Sequence, residues 1–177
     1  MKRLLQLISG RRSTRASVQV SLCSHLPQGA KRVYWLSEKL DHDPEQLAQT
    51  HALTKDHSRP YMGLAGKYGL FATASWWQAV NSGRMPTRRV AGVISRVYRA
   101  GQDNSGPVNT VTVERPDGSS ETIGIYINDQ KDRGYFVPGN FVEIIYALDD
   151  CKPQPDGRVE QAEIALEVVV ASKTAAA

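Results

Sequence analysis

Between Arg88 and Ala171 the chain is a succession of short apolar runs broken by turn residues, with no helical period between them. That pattern restricts the fold more than any other feature, because short apolar or alternating runs bounded by turn residues read as strands. Five are expected: Val90–Tyr98, Val108–Glu114, Glu121–Ile127, Phe141–Leu148 and Ile164–Val170. Gly101–Pro107, Asn128–Gly134 and Lys152–Gly157 read as loops, and Pro116-Asp117-Gly118 as a hairpin turn in which glycine takes positive φ. Phe141–Leu148 is apolar on both faces and so belongs in the middle of a sheet or under a cover.

Five antiparallel strands are few for a two-sheet sandwich, and they suit a small closed or nearly closed barrel without exposed edges. The turn Pro138-Gly139-Asn140 before the apolar strand is similar to a feature of OB-like barrels. The resemblance concerns architecture and covers about half the chain; with the elements read upstream, the expected fold is mainly β: a five-stranded antiparallel OB-like barrel with one or two short helices and an N-terminal basic arm.

Upstream, residues 1–16 read as a basic arm, 17–60 as a strand and helix extension, 61–172 as the barrel domain and 173–177 as an unstructured tail. Ser17–Leu22 alternates like a strand, and Val33–Leu36 is an apolar run that suits strand or helix. Asp43-Pro44-Glu45-Gln46 is a helix start: Asp43 caps free amides, Pro44 loses nothing at the first position, and the helix ends near Lys55. Ser75 opens a second short helix that ends at Gly83. Within it Trp76 and Trp77 point about 100° apart. One is expected to plug the barrel, and the other to meet a second packing surface or a partner.

Charge is segregated. Residues 1–37 hold seven bases and no acid, 38–87 five of each, and 88–177 ten bases and thirteen acids. A polyanion would therefore meet the arm first. The arm's apolar stretch stops at Ile8, too soon for a secretory signal, while its arginines and serines resemble an organelle transit peptide. No apolar run approaches the roughly 18 residues of a membrane span. Two cysteines, Cys23 and Cys151, suit free thiols in a reducing compartment. The expected location is the cytoplasm, with a mitochondrial matrix or other organelle interior as the alternative.

Reactive chemistry is poorly supported. His42, His51 and His57 lie near Asp41, Asp43 and Asp56, but without zinc-site spacing. The paired acids Asp149-Asp150 and Asp129/Asp132 lie in or beside loops. There is no nucleophile elbow, and Gly66-Lys67-Tyr68 breaks the phosphate-loop pattern. No enzymatic activity, metal or cofactor is expected.

The sequence reading is a non-enzymatic module that docks on a larger protein assembly through its arm and an aromatic anchor. The alternative is an accessory protein that binds single-stranded nucleic acid, using Arg88, Arg96 and Arg99 with Tyr98 as a stacking platform. The partner-binding candidates are Arg11, Arg12, Arg15, Trp76, Trp77, Arg88, Arg96, Tyr98 and Arg99.

Overall fold

The computed structural model describes residues 19–23, 29–101 and 106–173. The basic arm, with Arg11, Arg12 and Arg15, lies outside the described residues. The elements are β1 (Lys31–Trp35), α1 (Leu36–Asp41), α2 (Pro44–Lys55), α3 (Ala74–Asn81), β2 (Thr87–Tyr98), β3 (Thr110–Glu114), β4 (Ser120–Gly124), a 3-10 turn (Gln130–Tyr135), β5 (Phe141–Asp150) and β6 (Gln161–Ala171).

The fold is mainly β, but it is an open six-stranded sheet, not a closed five-stranded barrel. The order is β1-β6-β5-β2-β3-β4 and every pairing is antiparallel. The sixth strand is β1, from the stretch read as an extension, so the boundary expected at residue 61 runs through the sheet. The described part of the expected strand Ser17–Leu22 joins no ladder.

The sheet curls without closing. Asn128, beyond β4, donates its N–H to Val33 O (2.9 Å), accepts from Trp35 N (2.5 Å) and donates its side-chain amide to Trp35 O (3.2 Å). One residue thus joins the two edges where a barrel would have a ladder. The rings of Tyr34 and Tyr126 meet at 5.6 Å, and those of Tyr126 and Tyr146 at 6.4 Å. These residues come from both edges and the centre, so their shared face is the inside of the curl.

The same face carries Val90, Ile94, Val111, Val113, Val142, Ile144, Val168 and Val170, all buried. Burial of such side chains stabilises by roughly 1.5–3 kcal/mol each. Gly92 permits the tight curl: a Cβ there would stand 2.2 Å from Glu114 O and 2.8 Å from Val113 Cγ1. The bulge between Ile94 and Arg96 adds local twist. β5 is paired on both sides, and its outward Glu143 and Ile145 are as buried as its inward side chains.

α2 begins as its cap dictates, with Gln46 N donating to Asp43 Oδ1 at 3.1 Å. It buries no residue fully, so its apolar stripe alone does not hold it. Instead the Lys152 ammonium donates to Leu53 O (2.8 Å), Asp56 O (2.9 Å) and Arg59 O (3.2 Å), gathering the helix end and the following loop. A cation there also suits the negative end of the helix dipole.

In α3 both tryptophans are packed away, Trp76 0% and Trp77 4% exposed, which agrees with the packing-surface alternative for the second ring. The two indoles meet edge-on at 4.8 Å, Phe71 packs against Trp76 at 5.3 Å, and Trp76 Nε1 donates to Asp149 Oδ2 at 2.8 Å. A helix covered on two sides buries both rings, so little of either indole is exposed at the surface.

Candidate functional site

β1 pairs with β6 only from Glu167 to Val170, because the chain turns into α1 after Trp35. Below that point β6 continues through Gln161–Leu166 with β5 on one side and no strand on the other among the described residues. The opposite wall is Ile125–Ile127, which runs from β4 toward Asn128. Between them opens a cleft of about 570 Å³. Tyr34, Tyr126, Phe71 and Ile164 supply apolar surface, and Gln46 and Thr50 of α2 line another side. The volume falls within the roughly 300–1,000 Å³ of built recognition pockets.

The polar rim is mostly self-satisfied. Lys39 Nζ donates to Asp43 (3.0 Å) and Gln46 (2.7 Å). Glu163 accepts from Arg88 at 2.6 Å. Arg133 differs: it donates to the carbonyl of Val108 and to Gln130 (3.1 Å), and no carboxylate pairs with it among the described residues. Burial raises the phenol pKa of Tyr34, Tyr126 and Tyr146, so all three stay neutral at physiological pH.

A second polar cluster lies on the outer face. Glu167, fully buried, accepts from Arg32 Nε (2.9 Å), Ser21 Oγ (2.9 Å), Leu22 N (2.9 Å) and Cys23 N (3.3 Å). Gln19 adds a bond from Nε2 to Leu166 O at 2.8 Å and accepts from Ser37 N at 2.9 Å. Residues 19–23 are thereby strapped to the sheet without joining it. Glu143, one strand over, accepts from Arg89 Nε at 2.7 Å. Burial, with Glu167 and Glu143 nearby, pushes the Cys23 thiol well above its ordinary range, so it is an inert thiol. Cys23 and Cys151 are both free.

Among the described residues, the arginine candidates read from the sequence do not form one surface. Arg88 faces inward, bonded to Glu121 and Glu163 (both 2.6 Å) with its guanidinium over Tyr146 at 5.0 Å. Arg96 lies eight residues along β2, about 26 Å at strand rise. It faces the other way, since Val97 beside it shares the inner face with Val111. Arg96 covers the ring of Tyr98 at 4.8 Å, which removes that face as a stacking platform. Arg99 is exposed at the strand's end.

Two histidines bond to backbone carbonyls: His51 Nε2 meets Phe71 O at 2.7 Å and His42 Nδ1 meets Glu38 O at 2.8 Å. Among the described residues no three His, Cys, Asp or Glu side chains gather as a metal site. Among the described residues no helix is long and apolar enough to cross a membrane. Sequence reasoning missed Glu143, Glu167 and Lys152. A lone acid inside an apolar run, as in Phe141–Leu148 and Ile164–Val170, was the available signal, since a buried carboxylate demands partners.

No curated protein matches the chain. A family model does: residues 30–171 match the family described as "Immunity protein RhsI2". Immunity proteins are non-enzymatic inhibitors that bind toxins, so the partner is a protein. This corrects both functional expectations, the general docking module on a larger assembly and the nucleic-acid accessory protein. The match spans the entire sheet from β1 to β6, with the cleft between its edges, and the chain belongs to the RhsI2 immunity protein family.

Proposed function

We propose that this protein neutralises a cognate toxin of the Rhs type by forming a non-covalent complex with it. The observation that carries the reading is the family match over residues 30–171. The structure supports it physically. A sheet paired from β1 to β4 with a densely packed inner face is a rigid platform, and a rigid platform loses little conformational freedom on binding. The protein acts where the toxin would otherwise meet its target. Two free thiols favour a reducing interior, and the cytoplasm is the compartment proposed.

The test pairs growth with binding. Cells that express the toxin should survive only when this chain is co-expressed, and the purified proteins should form a complex by titration calorimetry. Unrelieved toxicity together with no detectable heat at micromolar concentrations would refute the reading.

A further inference from the structure

We infer that the unpaired stretch of β6, Gln161–Ala165, accepts an extended segment of the toxin as an added strand, seated in the cleft. The inference rests on the proposed toxin-binding function and specifies how the toxin is held.

The ladder sets the geometry. Cys151 N donates to Glu160 O at 2.8 Å. Two and four residues further on, Asp149 pairs with Ala162 and Ala147 with Ile164. Antiparallel alternation turns the amides of those residues toward β5, and those of Gln161, Glu163 and Ala165 away from it. Among the described residues nothing bonds to these outward backbone groups. Higher on the same edge, β1 covers Glu167–Val170 and Gln19 takes Leu166 O. The edge is therefore closed above and open below, and the opening coincides with the cleft.

An added strand would continue the line of β1 and supply the missing backbone partners, which is how extended peptides bind sheet edges. Its side chains would alternate. One set would face Tyr34 and Tyr126, and the other Phe71 and α2. An apolar segment therefore fits.

Charge argues for the toxin over this chain's own leader. Among the described residues no carboxylate pairs with Arg133 at the rim, so the favoured occupant is neutral or acidic. Residues 1–18 of this chain carry five bases and no acid and would add like charge beside it.

The test uses the full chain, the purified cognate Rhs toxin, calorimetry and amide hydrogen exchange. Toxin binding should slow exchange at Glu163 and Ala165 at least tenfold. Thr50→Arg, which fills the cleft from the surface of α2, should weaken binding at least 100-fold. Glu163→Pro, which removes an outward N–H, should do the same. Should Glu163→Pro fail to fold, Thr50→Arg and the wild-type exchange map decide the matter.

Tight wild-type binding with unchanged exchange at Gln161–Ala165, or with full affinity in folded Thr50→Arg, would overturn the inference and leave the toxin-binding function standing. No wild-type binding would remove both. Two other results would also overturn it: protection of these amides in the free chain that disappears when residues 1–18 are deleted, or a dimer that Thr50→Arg dissolves. The first would assign the edge to the leader and the second to another copy.

Discussion

Replacing Lys152 with Met should unfasten α2 from the sheet. The substitution keeps most of the aliphatic stem and deletes the ammonium that binds Leu53 O, Asp56 O and Arg59 O. Hydrogen bonds to a charged group contribute about 1.5–3 kcal/mol each. Three of them share one charge, and the longest is 3.2 Å, so they do not add fully. Removing the ammonium also recovers its desolvation cost, several kcal/mol for a buried ion. Against that recovery stand three carbonyls left short of a donor at about 1–3 kcal/mol each, unless water reaches them. The net loss should be about 3 kcal/mol. For a chain of this size each kcal/mol lowers Tm by roughly 2–4 °C, which gives a drop of about 6–12 °C. Urea denaturation should show a lower midpoint at unchanged slope, and amides of α2 should exchange faster than those of β5. A loss under about 0.5 kcal/mol would show that the partly buried Leu47 and Leu53 hold the helix, and would refute the reasoning. Toxin affinity should fall as well, since Gln46 and Thr50 of α2 line the cleft.

Three further outcomes are expected. Glu167→Ala removes the acceptor that gathers Ser21, Leu22 and Cys23, so in a Cys151→Ser background the Cys23 thiol should react with a disulfide reagent at least tenfold faster; an unchanged rate would mean that something else holds the strap. Asp149 is buried, and desolvation raises its carboxyl pKa. The folded state then binds that proton more tightly than the unfolded chain does. Its stabilising contribution is complete below the ordinary value of 3.8 and is lost as pH rises through the raised folded value. Asp149→Asn should therefore flatten the decline of Tm as pH increases above about 4, and an identical slope in both proteins would sink the assignment. Gly92→Ala places a methyl group against the Glu114 carbonyl and should cost at least about 2 kcal/mol in chemical denaturation, with a near-neutral result showing that β3 can retreat.

Local chemistry made part of this fold readable. The Asp43 cap and Pro44 set the start of α2, and the polar run after Lys55 set its end, because both signals act within one helical turn. The Pro116-Asp117-Gly118 turn placed the β3–β4 hairpin for the same reason. What escaped depends on contacts far apart in sequence. β1 was ambiguous because its bulge between Arg32 and Tyr34 breaks the alternation. The tryptophans looked available because spacing gives directions on a helix and not what covers each side. Arg88 and Arg96 looked like one cationic run, yet facing and ion pairing separate them. The cleft is where β1 stops short of β6, and no local pattern records the length of a neighbour strand.

The strap has a consequence for biosynthesis. Its main acceptor, Glu167, is 144 to 146 residues further along the chain than the groups it holds, and β1 takes its partner from the same late strand. Gln19–Cys23 and Lys31–Trp35 therefore leave the ribosome long before anything exists for them to dock on. Helix α2 and the β3–β4 hairpin can form as they emerge, whereas the two ends of the platform interlock only after β6 has been made. On the proposed function, neutralisation of the toxin thus begins with completed molecules, because nascent chains carry an unsatisfied Gln19–Cys23 segment until β6 is made.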